Sequence, residues 1–263
     1  MASVRTARTF TGRFAVAASA AILAAGVSAA TRQTTSGPTL TGVLHDETGR
    51  PVAHAAIQAC TTSVCFPAES GADGRFRFEL HVKTPVHVLL KTPEQLTAPR
   101  RAAAMLPVDV RGPTSTDVGT VFVPSLPAGV PLAAAGRGRQ TLSVGDGLEL
   151  SLDPAHVRPA PGHIVTTLAA RRLPAARVAA FRLPAGERIV AVYALHPFGA
   201  SSETPVGVGV PSTLVAGTAV TFRTMGELDG TLSDPASGRA TGSHVTTAPS
   251  AGITHLTYLV ISR

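Results

Sequence analysis

The chain has 263 residues, enough for two small domains, and carries 23 basic against 16 acidic side chains, a formal net charge of +7. This excess does not indicate a nucleic-acid partner, because the basic clusters, Arg137-Gly138-Arg139 and Arg171-Arg172, lack the interleaved aromatic side chains on which bases stack. We interpret both clusters as solvated surface.

The N-terminus has the pattern of a signal peptide. Arg5, Arg8 and Arg13 form a basic segment, and an apolar, alanine-rich stretch then ends in Val27-Ser28-Ala29-Ala30. Small residues at these positions suit signal peptidase, so residues 1–30 are predicted to be removed, with a retained membrane anchor as the alternative. Arginine, alanine, glycine, proline and valine are abundant in the composition, as in bacteria with GC-rich DNA. We therefore expect a protein that is secreted or stays in the periplasm or cell envelope of a bacterium, with no membrane span in the mature chain. Losing three arginines leaves 20 basic and 16 acidic residues, a net charge of +4.

A flexible leader, residues 31–38, precedes the first strand signals. Thr41-Gly42-Val43-Leu44 predicts a strand, and the polar stretch after it predicts a turn in which Gly49 takes a positive φ. Pro51 has no N–H to donate to a neighbouring strand, so it belongs at a strand start or an edge.

A second strand-and-turn signal follows. Asp73-Gly74 predicts a hairpin turn, because both residues tolerate the left-handed backbone of tight turns. After it, Phe76, Phe78 and Leu80 alternate with charged residues, which predicts a strand with one buried face. Residues 86–90 predict the next strand.

This order of strands and turns resembles the carboxypeptidase regulatory-like domain, a non-catalytic module with a transthyretin-like β-sandwich fold. The resemblance covers roughly residues 39–92, and it depends on matching positions at Gly42, Asp46, Gly49, Pro51-Val52, Ala55, Asp73-Gly74 and Phe76. The chain departs from the family where Thr84-Pro85 and Thr92-Pro93 stand in place of a Gly-rich or Tyr-containing turn. The resemblance implies a prealbumin-like sandwich within a wider carbohydrate-binding-like fold group.

The cysteines support export. Cys60 and Cys65 are the only two, with four residues between them. An even number in an exported chain predicts a disulfide, and the spacing does not match a Cys-x-x-Cys redox or zinc motif. We expect a Cys60–Cys65 disulfide that fixes the excursion before the Gly74 turn, with a redox or metal pair as the alternative.

Two all-β domains are predicted. The first covers 39–124 and closes with a strand at Val118–Val123; a Pro-rich linker at 125–131 joins it to the second, 132–263. We expect two β-sandwiches, the first transthyretin-like and the second Ig-like or related.

Three signals define the second domain. A hairpin around Gly145-Asp146-Gly147 leads into a strand whose leucines line one face. The stretch from Arg188 to Leu195 is apolar on both faces and predicts a central strand. The chain ends in a strand, His255–Arg263, that we expect to lie within a sheet.

Helix signals are scarce. Ala98–Met105 and Leu168–Ala180 are rich in alanine and arginine and predict at most a turn or two of helix each. Pro174 interrupts the second, which favours a short helix or a loop there.

No motif predicts catalysis, a cofactor or a metal. The nine histidines scatter along the chain without zincin-like spacing: His45, His54, His81, His87, His156, His163, His196, His244 and His255. Gly199-Ala200-Ser201-Ser202 is not a nucleophile elbow, and most aspartates stand in turns where they satisfy backbone N–H groups. An intramolecular isopeptide bond would need Lys83 or Lys91 with an aspartate, because asparagine is absent.

These observations predict a non-catalytic exported structural or interaction protein, whose partner is an unknown envelope protein or glycan. The alternative is a carbohydrate- or peptide-binding module. Sugar binding usually needs exposed flat aromatics, but the chain has no Trp and only two tyrosines, Tyr193 and Tyr258. Exposure of both tyrosines with Phe198 on one surface would favour the alternative.

Overall fold

The computed structural model describes residues 37–132, 138–178, 181, 183–233 and 235–263, so the predicted signal peptide and Arg137 lie outside the described residues. The described chain is all-β, as predicted. The strands are β1 Thr39–His45, β2 Ala56–Cys60, β3 Cys65–Glu69, β4 Arg75–Glu79, β5 Val86–Lys91, β6 Met105–Val110, β7 Thr116–Phe122, β8 Val130–Pro131, β9 Gln140–Gly145, β10 Leu148–Leu152, β11 Val157–Arg158, β12 Thr167–Arg172, β13 Ile189–His196, β14 Ala200–Pro211, β15 Ala219–Thr224, β16 Ala236–Ala240, β17 His244–Thr247, β18 Ile253–Leu256 and β19 Tyr258–Ser262.

The first seven strands, which we call the N-terminal region, form two sheets around one core. One sheet has the order β4-β1-β7 and the other β3-β2-β5-β6. Phe76 and Phe78 point into this core together with Leu40 and Ile57, while Arg75 is exposed. The two-residue periodicity of β4 therefore predicted its buried face correctly, because alternate side chains of a strand lie on opposite faces.

The Asp73-Gly74 turn is tight, but it does not make a hairpin. Gly74 has a φ of +76°, and the N–H of Gly71 donates to the carbonyl of Arg75 at 2.8 Å. The strands on either side, β3 and β4, belong to different sheets. The hairpin prediction was wrong because turn chemistry fixes the local backbone, whereas the shared core decides which strands pair.

The Cys60–Cys65 disulfide is present, as predicted. The two cysteines face each other at the end of the β2–β3 ladder, and the N–H of Thr61 donates to the carbonyl of Val64 at 2.8 Å. The bond therefore closes the tip of a hairpin.

Of the two stretches with helix signals, the first forms no helix, and the second forms one short helical turn directly after Pro174, as expected. Ala102, Ala103 and Ala104 are extended and buried, and β6 begins at Met105. The second stretch begins as strand β12 and then makes one 3-10 turn at Ala175–Arg177; residues 179–180 lie outside the described part. Alanine is the best helix former, but intrinsic helix propensity is a weak determinant, and burial in a sheet protein outweighs it.

The strands from β8 onward, which we call the C-terminal region, form one near-closed, barrel-like sheet instead of two packed sheets. Its order is β8-β12-β13-β19-β15-β16-β17-β14-β10-β9. The two ends approach closely, since a Cβ on Gly145 would lie 2.6 Å from the carbonyl oxygen of Ala170. The strands form one continuous sheet, and not the two separate sheets of a sandwich, because the 12-residue β14 pairs with several neighbouring strands along its length.

Strand β13 is central, as predicted, and the structure explains why both of its faces are apolar. Tyr193 and Leu195 point into the core of the near-closed sheet, whereas Val192 and Ala194 point outward. The outward residues pack in a third cluster with Met105 and other residues of the N-terminal region.

This third cluster joins the two regions. It contains Leu89 of β5, Leu126 of the predicted linker, and Tyr258 and Val260 of the final strand. The chain from Ser36 to Arg263 accordingly forms one compact unit. The domain boundaries stay a prediction.

Candidate functional site

An open groove of about 770 Å³ lies where the two regions meet, and we call it the junction groove. Its volume is within the range of roughly 300–1,000 Å³ that is usual for ligand sites. Its floor and walls come from the first half of β13 and from the segment that follows β12. Four charged residues form its rim: Glu47, Asp146, Arg171 and Arg172.

Glu47 reaches the groove from the polar turn after β1. Its neighbour Asp46 shapes this turn, because its Oδ1 accepts the N–H groups of Thr48 at 2.8 Å and Arg50 at 3.0 Å. Burial raises the pKa of Asp46, but these hydrogen bonds outweigh it and the net pKa is lowered. The turn therefore presents Glu47 from a fixed backbone.

Glu47 and Arg171 form a two-point ion pair between the regions. Nε of Arg171 donates to Oε1 at 2.5 Å, and a terminal nitrogen of the guanidinium donates to Oε2. The hydrogen bonds from Arg171 hold the pKa of Glu47 below its usual value, and Glu47 in turn raises the pKa of Arg171. Bidentate pairing of this kind is the strongest geometry open to the two groups.

Asp146 completes the rim from the turn between β9 and β10. It lies 3.6 Å from Nη1 of Arg171, and its Oδ2 accepts the backbone N–H of Arg172 at 2.7 Å. The hydroxyl of Tyr193 donates to its backbone carbonyl at 3.3 Å. The carboxylates of Glu47 and Asp146 are therefore both committed to Arg171 and its neighbour.

A second pocket of about 510 Å³ adjoins the junction groove at Arg172, Ile189 and Val190. We call it the end pocket, because its residues stand at the ends of strands β12, β13, β14 and β19. Its other lining residues are Pro211, Ser212, Thr213, Leu214, Ser243 and Arg263.

The cations near the end pocket lack partners. Arg188 and Arg263 face each other, since each backbone N–H donates to the other's carbonyl at 2.8 and 2.9 Å. Neither side chain has an ion pair among the described residues. The nearby Glu187 is committed elsewhere: Arg223 donates to both of its oxygens, at 2.6 and 2.8 Å, and holds its pKa low.

A buried pair also links the regions. Nδ1 of His196 lies 2.9 and 3.0 Å from the two oxygens of Glu94, and both side chains are under 9% exposed. The Thr167 hydroxyl lies 3.4 Å from Nε2, which gives the acid–His–hydroxyl order of a hydrolase. Gly129 packs closely against that hydroxyl, because a Cβ built there would lie 2.7 Å from Oγ1.

The structure does not bring the other predicted candidates together. In the described ranges, no group of three or more His, Cys, Asp or Glu side chains could hold a metal ion. Ser202 is buried within β14, and Lys91 donates to the backbone carbonyl of Glu227 at 2.9 Å rather than to an aspartate.

The two tyrosines are buried in the core. Tyr193 and Tyr258 are each at most 1% exposed, and Phe198 is half-buried. Desolvation raises the pKa of both phenols. Neither tyrosine can therefore stack on a sugar at the surface.

Sequence reasoning missed the rim of the junction groove. Arg171-Arg172 was interpreted as solvated, but Arg171 is paired and only Arg172 is exposed. Glu47 carried no signal of its own, since it stood in an ordinary polar turn. Only a contact prediction between these distant segments could have found the pair.

No protein-family model matches the chain, and no curated protein matches it. Among solved structures, the chain is similar to one from Bacteroides uniformis ATCC 8492, named a "putative carbohydrate binding protein", with 8% identity and a TM-score of 0.24. The match covers 86% of this chain and 79% of that one. A likeness at this level carries no argument about fold or ligand.

Proposed function

We propose that the protein is a non-catalytic, exported structural or interaction protein of the bacterial cell envelope or extracellular space. The observation that carries the proposal is the pairing at the junction groove. Arg171 is held by Glu47 and Asp146, so these groups orient one another. A catalytic acid, base or nucleophile must instead be free to reach a substrate.

Export is supported by the disulfide, because such bonds persist in oxidising compartments. The disulfide fits an extracellular or periplasmic protein. In the part of the chain that is described, no helix has the length and apolar character to cross a bilayer. The signal peptide of residues 1–30 belongs to this proposal.

The proposal includes a carboxypeptidase regulatory-like N-terminal domain. It is supported by two packed sheets around Phe76 and Phe78 and by the positive φ of Gly49 and Gly74. In this role the sandwich is a rigid support whose turn carries Glu47 to the groove.

A second candidate, a carbohydrate- or peptide-binding module, is favoured by one observation. The end pocket combines unpaired arginines with serine and threonine hydroxyls. Such groups bind polar ligands without needing an aromatic platform.

Site-specific cross-linking tests the proposed interaction role. A photoreactive benzoylphenylalanine is placed in the full chain at Ala175, on the groove wall, and in a control at Thr114, in the exposed loop between β6 and β7. In the envelope of the producing bacterium, we expect a discrete cross-linked product from Ala175 and none from Thr114. Equal products at both positions, or none, would contradict the proposal. Intact mass of the exported protein checks cleavage near Ala30.

A further inference from the structure

Arg172 and Arg263 line the end pocket, and neither has an acidic partner among the described residues. Arg188 lies outside the lining, but its backbone pairs with that of Arg263 just beyond the ends of β13 and β19, and like charges in that position repel. Across the pocket, the guanidinium of Arg172 makes a single long contact in the described chain, 3.5 Å to the carbonyl of Val190. An anionic ligand would relieve this repulsion.

The remaining lining suits a sugar ring. Ser212, Thr213 and Ser243 supply hydroxyl groups, which both donate and accept hydrogen bonds as sugar hydroxyls do. Ile189 and Leu214 add apolar surface against which the C–H face of a ring can pack. The volume of about 510 Å³ is within the usual range for a small ligand.

The backbone around the pocket argues against a peptide added as an extra strand. The N–H and carbonyl groups of Arg188 and Arg263 bond to each other, and the N–H of Ser212 donates to Ser243 at 2.8 Å. Adding a strand needs free backbone groups on an open edge. Recognition must then come from side chains.

We infer that the end pocket binds a carboxylate-bearing saccharide of about disaccharide size. Guanidinium groups bind a carboxylate in a planar, two-point geometry, so Arg172 and Arg263, which line the pocket, contact the acid group. The hydroxyl side chains contact the ring. This inference rests on the proposed function and names the ligand class for its binding role.

Calorimetric titration of the exported protein with digalacturonate tests the inference. Two further probes test the charge and the sugar ring separately. The neutral methyl ester of digalacturonate keeps the rings without the charge, and the dipeptide Glu-Glu keeps carboxylates without a sugar ring. Arg172→Gln and Arg263→Gln each remove one cation of the pocket lining. Arg111→Gln, an exposed arginine in the loop between β6 and β7, is the matched control for charge.

We expect digalacturonate to bind the wild type. Each pocket variant should weaken binding about tenfold, because a charge-assisted hydrogen bond is lost, whereas Arg111→Gln should change it less than about twofold. The ester and the dipeptide should bind at least about tenfold more weakly than digalacturonate. Each variant should unfold at the wild-type temperature, since these arginines are exposed.

Failure to bind digalacturonate, equal binding of Glu-Glu, or indifference to the pocket variants would each overturn the inference. The Ala175 cross-link does not depend on this ligand. A discrete cross-link without digalacturonate binding would therefore reject the saccharide and leave the proposed function standing.

Discussion

Arg171, at the end of β12, donates hydrogen bonds to both carboxylate oxygens of Glu47, which precedes it by 124 residues. The pair joins a turn of the N-terminal region to the rim of the junction groove. The buried Glu94–His196 pair and the shared apolar cluster join the regions at other points. The groove is therefore shaped by both regions together.

The Glu47–Arg171 pair should show measurable coupling. In a double-mutant cycle with Glu47→Gln and Arg171→Gln, we expect a coupling free energy of about 1 kcal/mol, as for a partly exposed but bidentate pair. Urea unfolding at pH 7 gives the four stabilities. The pair Arg158 and Glu203, which is more exposed, is the control and should couple more weakly. Additive effects at Glu47 and Arg171 would show that the pair contributes nothing.

The same pair should make stability depend on acid pH. The hydrogen bonds from Arg171 hold the pKa of Glu47 below the usual value for a glutamate. A lowered pKa gives stability that is fully present above the unfolded value and is lost as pH falls through the folded value. We therefore compare stability at about pH 5 and about pH 3, roughly one unit above and one unit below the usual carboxyl pKa. Over this interval the wild type should lose more stability than Glu47→Gln. Parallel losses in both proteins would contradict this assignment.

Tyr258 should be a major contributor to the junction. Its ring is buried in the third cluster, and its hydroxyl bonds to the backbone of Met105. Tyr258→Phe should cost about 1 kcal/mol, from the lost hydrogen bond, and Tyr258→Ala about 3–5 kcal/mol, from the cavity. Tyr193→Phe is the matched control and should cost less, since its bond is 3.3 Å long. Chemical unfolding measures all three, and a neutral Tyr258→Ala would disprove the packing role.

Several local features of this fold could be predicted from sequence. The alternation at Phe76 and Phe78 gave the buried face of β4, and the apolar run at Arg188–Leu195 gave a central strand. Both patterns report burial directly, because a strand has a fixed period. The Cys60–Cys65 disulfide was predicted from the even number of cysteines in a chain that is expected to be exported.

The rest depended on contacts between distant segments. Ala102–Ala104 favour helix when taken alone, but here they pack in the core, and Asp73-Gly74 makes the expected turn between strands of different sheets. Arg171 could not be told from Arg172 by its neighbours in sequence, since only its ion pairs with the distant Glu47 and Asp146 distinguish it. The junction groove is formed by contacts between residues that are far apart in the sequence, so no pattern of neighbouring residues predicted it.

Removing the disulfide should affect stability modestly. Cys60→Ala with Cys65→Ala opens a loop with a sequence separation of 5 residues, and the chain-entropy model gives a cost of about 2 kcal/mol. Digalacturonate binding should be unchanged, because the hairpin contributes no residue to the end pocket. Thermal unfolding with and without reductant measures the effect. If reductant destabilised the double variant as much as the wild type, the effect would not come from this bond.

The central claim is that the N-terminal and C-terminal regions form one cooperative structure joined by a shared apolar cluster. Differential scanning calorimetry of the protein tests it most directly. The shared cluster of Met105, Val192 and Tyr258 predicts a single transition, with equal calorimetric and van't Hoff enthalpies. Two separate transitions, with Tyr258→Ala altering only one, would contradict the claim.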